Sequence, residues 1–123
     1  MANILVVEDN DDVREMMAVT LELEGYAVST AINGRDALNK LQTGDKPNLI
    51  LLDLMMPVMN GWEFQRALGN DPVLKQVPVV VVSAATSEQA HQTDAAAYLP
   101  KPLDMDQLLL VIGTFCDGLD PIN

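Results

Sequence analysis

Short apolar runs alternate with segments of helical period about five times along this chain, and that alternation leaves little choice of fold. Runs separated by helical segments bury both their faces in a parallel sheet covered by helices on each side. The runs fall at residues 3–7, 26–31, 49–53, 79–82 and 97–99. Residues 26–31 alternate apolar with small or polar groups, as an edge strand does. The β-branched residues 79–82 read as a central strand.

Between the runs lie the helical patterns. Residues 11–24 place Val13, Met16, Met17, Thr20 and Leu21 on one face, with Asp12 and Glu15 in the acidic first turn and Gly25 as the stop. A second helix opens at Asn33-Gly34 and buries Ala37, Leu38 and Leu41. A third starts at Asn60, which can cap while Glu63 reaches back, and turns Phe64, Ala67 and Leu68 inward. Residues 87–94 predict a weak, polar helix. The last is capped by Asp104 and Gln107, with Leu108, Val111, Ile112 and Phe115 on its core face. The expectation is one α/β domain over residues 1–123: a (βα)5, flavodoxin-like, doubly wound parallel sheet of strand order 2-1-3-4-5.

Composition then removes function classes. Eighteen acidic against seven basic residues give a net charge of −11, which argues against nucleic acid or an anionic membrane as a direct partner. No stretch approaches the roughly 20 apolar residues of a membrane span, and no signal pattern opens the chain. Cys116 is the single cysteine, so no internal disulfide forms, and a reducing cytoplasm is expected. One histidine and one cysteine argue against a zinc or iron–sulfur site. No dinucleotide glycine fingerprint or phosphate-binding loop follows the first run.

The chemistry collects at the ends of the runs. In an open α/β sheet, ligands bind beyond the carboxyl ends of the strands where strand order reverses. For the order 2-1-3-4-5 that point lies between the first and third strands, which end at Glu8-Asp9 and at Asp53. The fourth strand ends at Ser83 and the fifth at Lys101. A carboxylate at the end of a buried strand is costly unless paired. Three carboxylates with a few carbonyl or water oxygens form a hard-oxygen site suited to Mg2+. A phosphoryl group on one of them would be flanked by that metal, the Lys101 ammonium and the Ser83 hydroxyl. Asp53 is the nucleophile candidate, because it leads into Met56-Pro57 and Asn60-Gly61, a turn that could hold it rigidly.

Four motifs carry a family resemblance over essentially the whole chain. Glu8-Asp9, the segment from Asp53 through Met56-Pro57 to Asn60-Gly61, Ser83-Ala84, and Tyr98-Leu99-Pro100-Lys101-Pro102 resemble the receiver domain of two-component response regulators. The resemblance implies that Asp53 accepts a phosphoryl group from a phosphohistidine on a sensor histidine kinase or a histidine phosphotransfer protein. It implies Mg2+ ligation by Asp9, Asp53 and the backbone carbonyl of Met55, with Glu8 acting directly or through water. Lys101 would contact the phosphoryl oxygens, and its bond to Pro102 would be cis. Ser83 would swing toward the phosphoryl group and vacate space for the Tyr98 ring, although a tyrosine there can equally be plain packing.

The chain departs from the family in two ways. The stretch between Ser83 and Lys101 is about one helical turn shorter than usual, and Thr93-Asp94-Ala95-Ala96-Ala97 lacks a glycine found before the last strand. Both changes bear on the output face, not on the phosphorylation site. His91 reads as a surface residue, and Trp62 as packing or as a reporter on the site. The apolar run at residues 108–112 reads as deep burial or, preferably, as a partner contact.

The expected function is a stand-alone receiver with no output domain, monomeric or a weak homodimer, that switches contacts with a target protein. Passing phosphate onward to a histidine phosphotransfer domain is the alternative. An aspartate-nucleophile phosphohydrolase is disfavoured, because such enzymes place the nucleophile after the first strand with a second acid two residues on. Here Asp53 follows the third strand and Met55 stands in that second place.

Overall fold

The computed structural model describes residues 2–44, 46–56, 58–84 and 95–116. The first apolar run is strand β1 (Asn3–Val7), flanked by β2 (Ala27–Ala31) on one side and β3 (Leu49–Leu52) on the other. The sheet continues through β4 (Val79–Ser83) to β5 (Ala97–Pro100). All pairs are parallel, and the order is β2-β1-β3-β4-β5. This is the flavodoxin-like arrangement expected from the sequence, with β2 half-buried at one edge.

Side chains alternate across the pleat and so divide the core in two. Leu5, Val7, Ile50, Leu52, Val79 and Val81 face one side, under α2 (Gly34–Thr43) and α3 (Gly61–Gly69), which contribute Ala37, Leu41, Phe64 and Leu68. Ile4, Val6, Leu49, Leu51, Val80 and Val82 face the other, under α1 (Asp11–Leu23) and the last helix, α4 (Met105–Cys116). Because both faces are covered, the central strands carry no polar side chain until they end. Phe64 is fully buried, and its truncation to alanine would cost about 3–5 kcal/mol.

The helix starts follow their capping residues. Asn10 Oδ1 accepts from the Val13 N–H, and Asn33 Oδ1 accepts from the Asp36 N–H. Asn60 and Glu63 form the reciprocal capping box read from the sequence. Asp104 Oδ1 accepts from the Asp106 and Gln107 N–H groups.

Several finer expectations shift. Met16 is 44% exposed, while Met17 and Leu21 are buried and Val13 packs beside them. One residue is 100° around a helix, so Met16 sits at the rim of the face that Met17 centres. On α4 the buried stripe is Leu108, Ile112 and Cys116, spaced by four residues, with Val111 and Phe115 only partly buried. Cys116 is therefore a core residue, held in no disulfide. Leu110, on the opposite side, is 76% exposed. Strand β3 ends at Leu52 rather than at Asp53, and β5 runs one residue further, to Pro100. The helix expected at residues 87–94, with His91, lies outside the described residues. Among those described, no helix is long and apolar enough to cross a membrane.

Candidate functional site

Four strands deliver one polar residue each to the same rim. Glu8 follows β1, Asp53 follows β3, Ser83 ends β4 and Lys101 follows β5. The main-chain ladder carries the first two into place: Glu8 N–H donates to Ala31 O at 3.1 Å, and Asp53 N–H donates to Val7 O at 3.0 Å. Lys101 N–H likewise donates to Ser83 O at 3.1 Å. The Lys101–Pro102 peptide bond is cis.

Lys101 closes the site. Its Nζ donates to Glu8 Oε1 at 2.7 Å and to Asp53 Oδ2 at 3.2 Å. Both carboxylates are buried, Glu8 at 2% and Asp53 at 4% exposed, so the ammonium is their principal compensation. The remaining oxygens bind main chain: Asn10 N–H donates to Glu8 Oε2 at 3.1 Å, and Met55 N–H donates to Asp53 Oδ1 at 3.0 Å. Asp9 is exposed and completes the acidic group; oxygens of Glu8, Asp9 and Asp53 all lie within 4.8 Å of one another. Ser83 is buried beside them, while Tyr98 stands on β5 opposite Val81, more than a third exposed.

Burial, reinforced by the Asp53 charge, raises the Glu8 pKa to about 7, against the opposing pull of Lys101 and the Asn10 N–H. Burial works to lower the Lys101 pKa, but its bond to Glu8 and the charges of Asp53 and Glu8 outweigh it, and the net shift is upward. Lys101 is a cation throughout the neutral range.

With all groups ionised, three carboxylates and one ammonium leave two negative charges, the complement of a dication. Glu8, Asp9 and Asp53 supply hard carboxylate oxygens at the mouth of the sheet, the donor type that Mg2+ takes. The donor set fits.

Three supporting residues were not singled out as part of the site from sequence. Arg14, in the second turn of α1, donates from Nη1 to the Glu8 carbonyl at 2.9 Å and pairs through Nη2 with Asp11. It fixes the Glu8-Asp9 peptide from behind, and a lone cation two residues after Asn10-Asp11-Asp12 was its only signal. Asn10 both caps α1 and binds Glu8. Val58 takes φ = 70°, a left-handed conformation that a β-branched side chain adopts only under strain. Gly61, already read as part of the turn after Asp53, has a firmer reason for its identity. A Cβ there would lie 2.6 Å from Leu54 Cα and 2.8 Å from Asp53 O, so only glycine lets α3 start against the Asp53-Leu54 backbone.

Strand order, acidic rim and bridging lysine define a receiver-type α/β protein, and comparison with known proteins agrees. The response regulator receiver domain family matches residues 4–113. The chain belongs to that family, the receiver domains of two-component signalling. PilH of Pseudomonas aeruginosa is 33% identical over 122 residues, covering 96% of this chain and all of PilH. The response regulator MprA of Mycolicibacterium vanbaalenii is 41% identical over 113 residues, 86% of this chain but 46% of MprA. The chain thus spans about half the length, or less, of several curated relatives it matches. Among solved structures, the chemotaxis protein CheY4 of Vibrio cholerae superposes with a TM-score of 0.86 at 34% identity, covering 94% of this chain and 98% of that one. TrrA of Thermotoga maritima, solved in complex with Mg2+–BeF, gives 0.83 at 29%, covering 94% and 99%.

Proposed function

We propose that Asp53 accepts a phosphoryl group from a phosphohistidine of a sensor histidine kinase or histidine phosphotransfer protein, and that the modified chain switches its contacts with a cytoplasmic target protein. The observation that carries this reading is the Lys101 ammonium held between Asp53 and Glu8, at 3.2 and 2.7 Å, at the switch point of the sheet.

Phosphoryl transfer asks a protein mainly to position the nucleophile and to neutralise charge. Asp53 is positioned by its own N–H on Val7 and by the Met55 N–H on Oδ1. A carboxylate oxygen of Asp53 attacks phosphorus, the P–N bond of the phosphohistidine breaks, and its electron pair stays on the imidazole. The product is an acyl phosphate. Lys101 exchanges its carboxylate partners for phosphoryl oxygens, and the Ser83 hydroxyl donates to another. Glu8, Asp9, Asp53 and the Met55 carbonyl would hold Mg2+, which when bound supplies positive charge against the phosphoryl oxygens.

The consequence is conformational. Releasing Lys101 from Glu8 and drawing Ser83 toward the phosphoryl group frees space that the half-exposed Tyr98 ring can enter, which couples the new charge to β5. With Met55, not a second acid, two residues after Asp53, the chain acts as a switch and not as a turnover phosphohydrolase. The test is incubation with acetyl phosphate and Mg2+ followed by intact-mass measurement. One phosphoryl increment is expected, absent from Asp53→Asn and lost on base treatment. An undiminished increment in Asp53→Asn would overturn the assignment.

A further inference from the structure

A cavity lies along α3, reaching the amino-terminal ends of β4 and β5, at the opposite end of the sheet from Asp53. Its volume is about 650 Å3, inside the range of ~300–1,000 Å3 typical of small-molecule sites. Leu68, Leu74 and Val79 give it apolar lining, and Trp62 supplies an aromatic wall. Nothing in the phosphoryl chemistry uses it.

Its charge runs against that of the chain. Acidic residues outnumber basic ones by 18 to 7 in the sequence, yet no described lining residue is acidic, and both Arg66 and Lys75 are present and exposed. Of the acids adjoining it in sequence, Asp71 Oδ1 accepts from the Val73 and Leu74 N–H groups, and Glu63 Oε1 accepts from the Asn60 N–H.

We propose that this cleft binds a small amphipathic anion: a flat apolar body bearing one sulfonate-, carboxylate- or phosphate-type head. The head meets Arg66 and Lys75, and the body lies against Trp62 and the apolar lining. Each of these two lining features demands one part of that ligand.

The probe is 8-anilinonaphthalene-1-sulfonate, which has both parts, compared with N-phenyl-1-naphthylamine, the same body without the charge. On the full chain the sulfonate should bind saturably at one site, with energy transfer from Trp62, the single tryptophan. The uncharged analogue should bind at least tenfold more weakly. Combined Arg66→Glu and Lys75→Glu, at exposed positions, should weaken the sulfonate at least tenfold with the far-ultraviolet circular dichroism unchanged. Equal binding of both dyes, no energy transfer, or full affinity in the charge-reversed variant would each overturn the proposal. So would tighter competitive binding of an acidic apolar peptide, which would make the occupant a partner protein. Asp53→Asn should leave all these readouts unchanged, so this outcome is separate from that of the phosphoacceptor reading.

Discussion

Lys101 reaches across 93 positions of sequence to place its Nζ 2.7 Å from Oε1 of Glu8, closer than the 3.2 Å to Asp53. The lysine therefore leans on the carboxylate that is not the proposed nucleophile. Asp53 is left the looser partner, and its separation is the cheaper one for an incoming phosphoryl group.

Glu8 is held at a cost to stability. Its pKa rises from the ordinary 4.5 to about 7 on folding, so between those values the folded chain keeps a proton that the unfolded chain has released. The Glu8 contribution to stability in the metal-free protein therefore falls as pH rises from about 4.5 to about 7, and is level above that. Glu8→Gln should remove this slope and stabilise the metal-free protein at pH 8 by about 1–2 kcal/mol. Urea denaturation across pH 5–8 measures both effects.

Metal affinity should carry the same signature with the opposite benefit. A proton on Glu8 competes with Mg2+, so affinity should tighten as pH rises toward about 7 and flatten above it. Isothermal titration with Mg2+ at pH 5.5, 6.5, 7.5 and 8.5 checks this. Equal constants at 5.5 and 7.5 would remove Glu8 from the metal site.

Arg14 should act through geometry and not through charge. Arg14→Lys keeps the cation but loses the two-pronged hold on the Glu8 carbonyl and Asp11. Mg2+ binding should weaken by about three- to tenfold in that variant, a size familiar from supporting residues around metal ligands. A purely electrostatic role predicts no change in Arg14→Lys and tighter binding in Arg14→Gln.

Gly61→Ala should be damaging out of proportion to one methyl group. The new Cβ meets backbone atoms at 2.6 and 2.8 Å, which no side-chain rotation relieves. We expect a loss of about 1–3 kcal/mol by chemical denaturation, with slower labelling of Asp53 by acetyl phosphate.

Val58→Asn should do the reverse. Asparagine tolerates a φ of 70° better than valine does, and Val58 is 70% exposed, so little packing is lost. A gain of about 1 kcal/mol is expected from thermal and denaturant melts.

Most of the scaffold and the rim were legible because each rests on a simple periodic or positional signal. Alternation along β1, β3 and β4 splits cleanly between two helix layers, and each strand near the switch point stops at a polar residue. The remainder depends on three-dimensional neighbours. Met16 and Met17 look alike in sequence, and only the angle of α1 on the sheet puts one at the rim. Cys116 continues the Leu108–Ile112 stripe by one more turn, a pattern masked by the apolar residues all round α4. The reach of Arg14 to the Glu8 carbonyl joins a side chain to main chain, for which sequence holds no complementary partner. The cavity along α3 arises from the way Trp62, Leu74 and Ala96 approach, across 35 residues that share no motif.

The bond from Asp53 N–H to Val7 O has one more implication. It makes the distance between the two acidic strand ends a property of strand pairing, fixed by Leu52 beside Val7 and Leu51 beside Val6. Insertions in the turns after Asp53 or Lys101 leave that spacing untouched. Removing a single residue from within β1 or β3 would instead invert every side chain beyond the cut, sending the terminal carboxylate to the opposite face. Tolerance to length change in this chain should therefore drop abruptly at the strand boundaries, and a scan of one-residue deletions would trace the working edge of the sheet residue by residue.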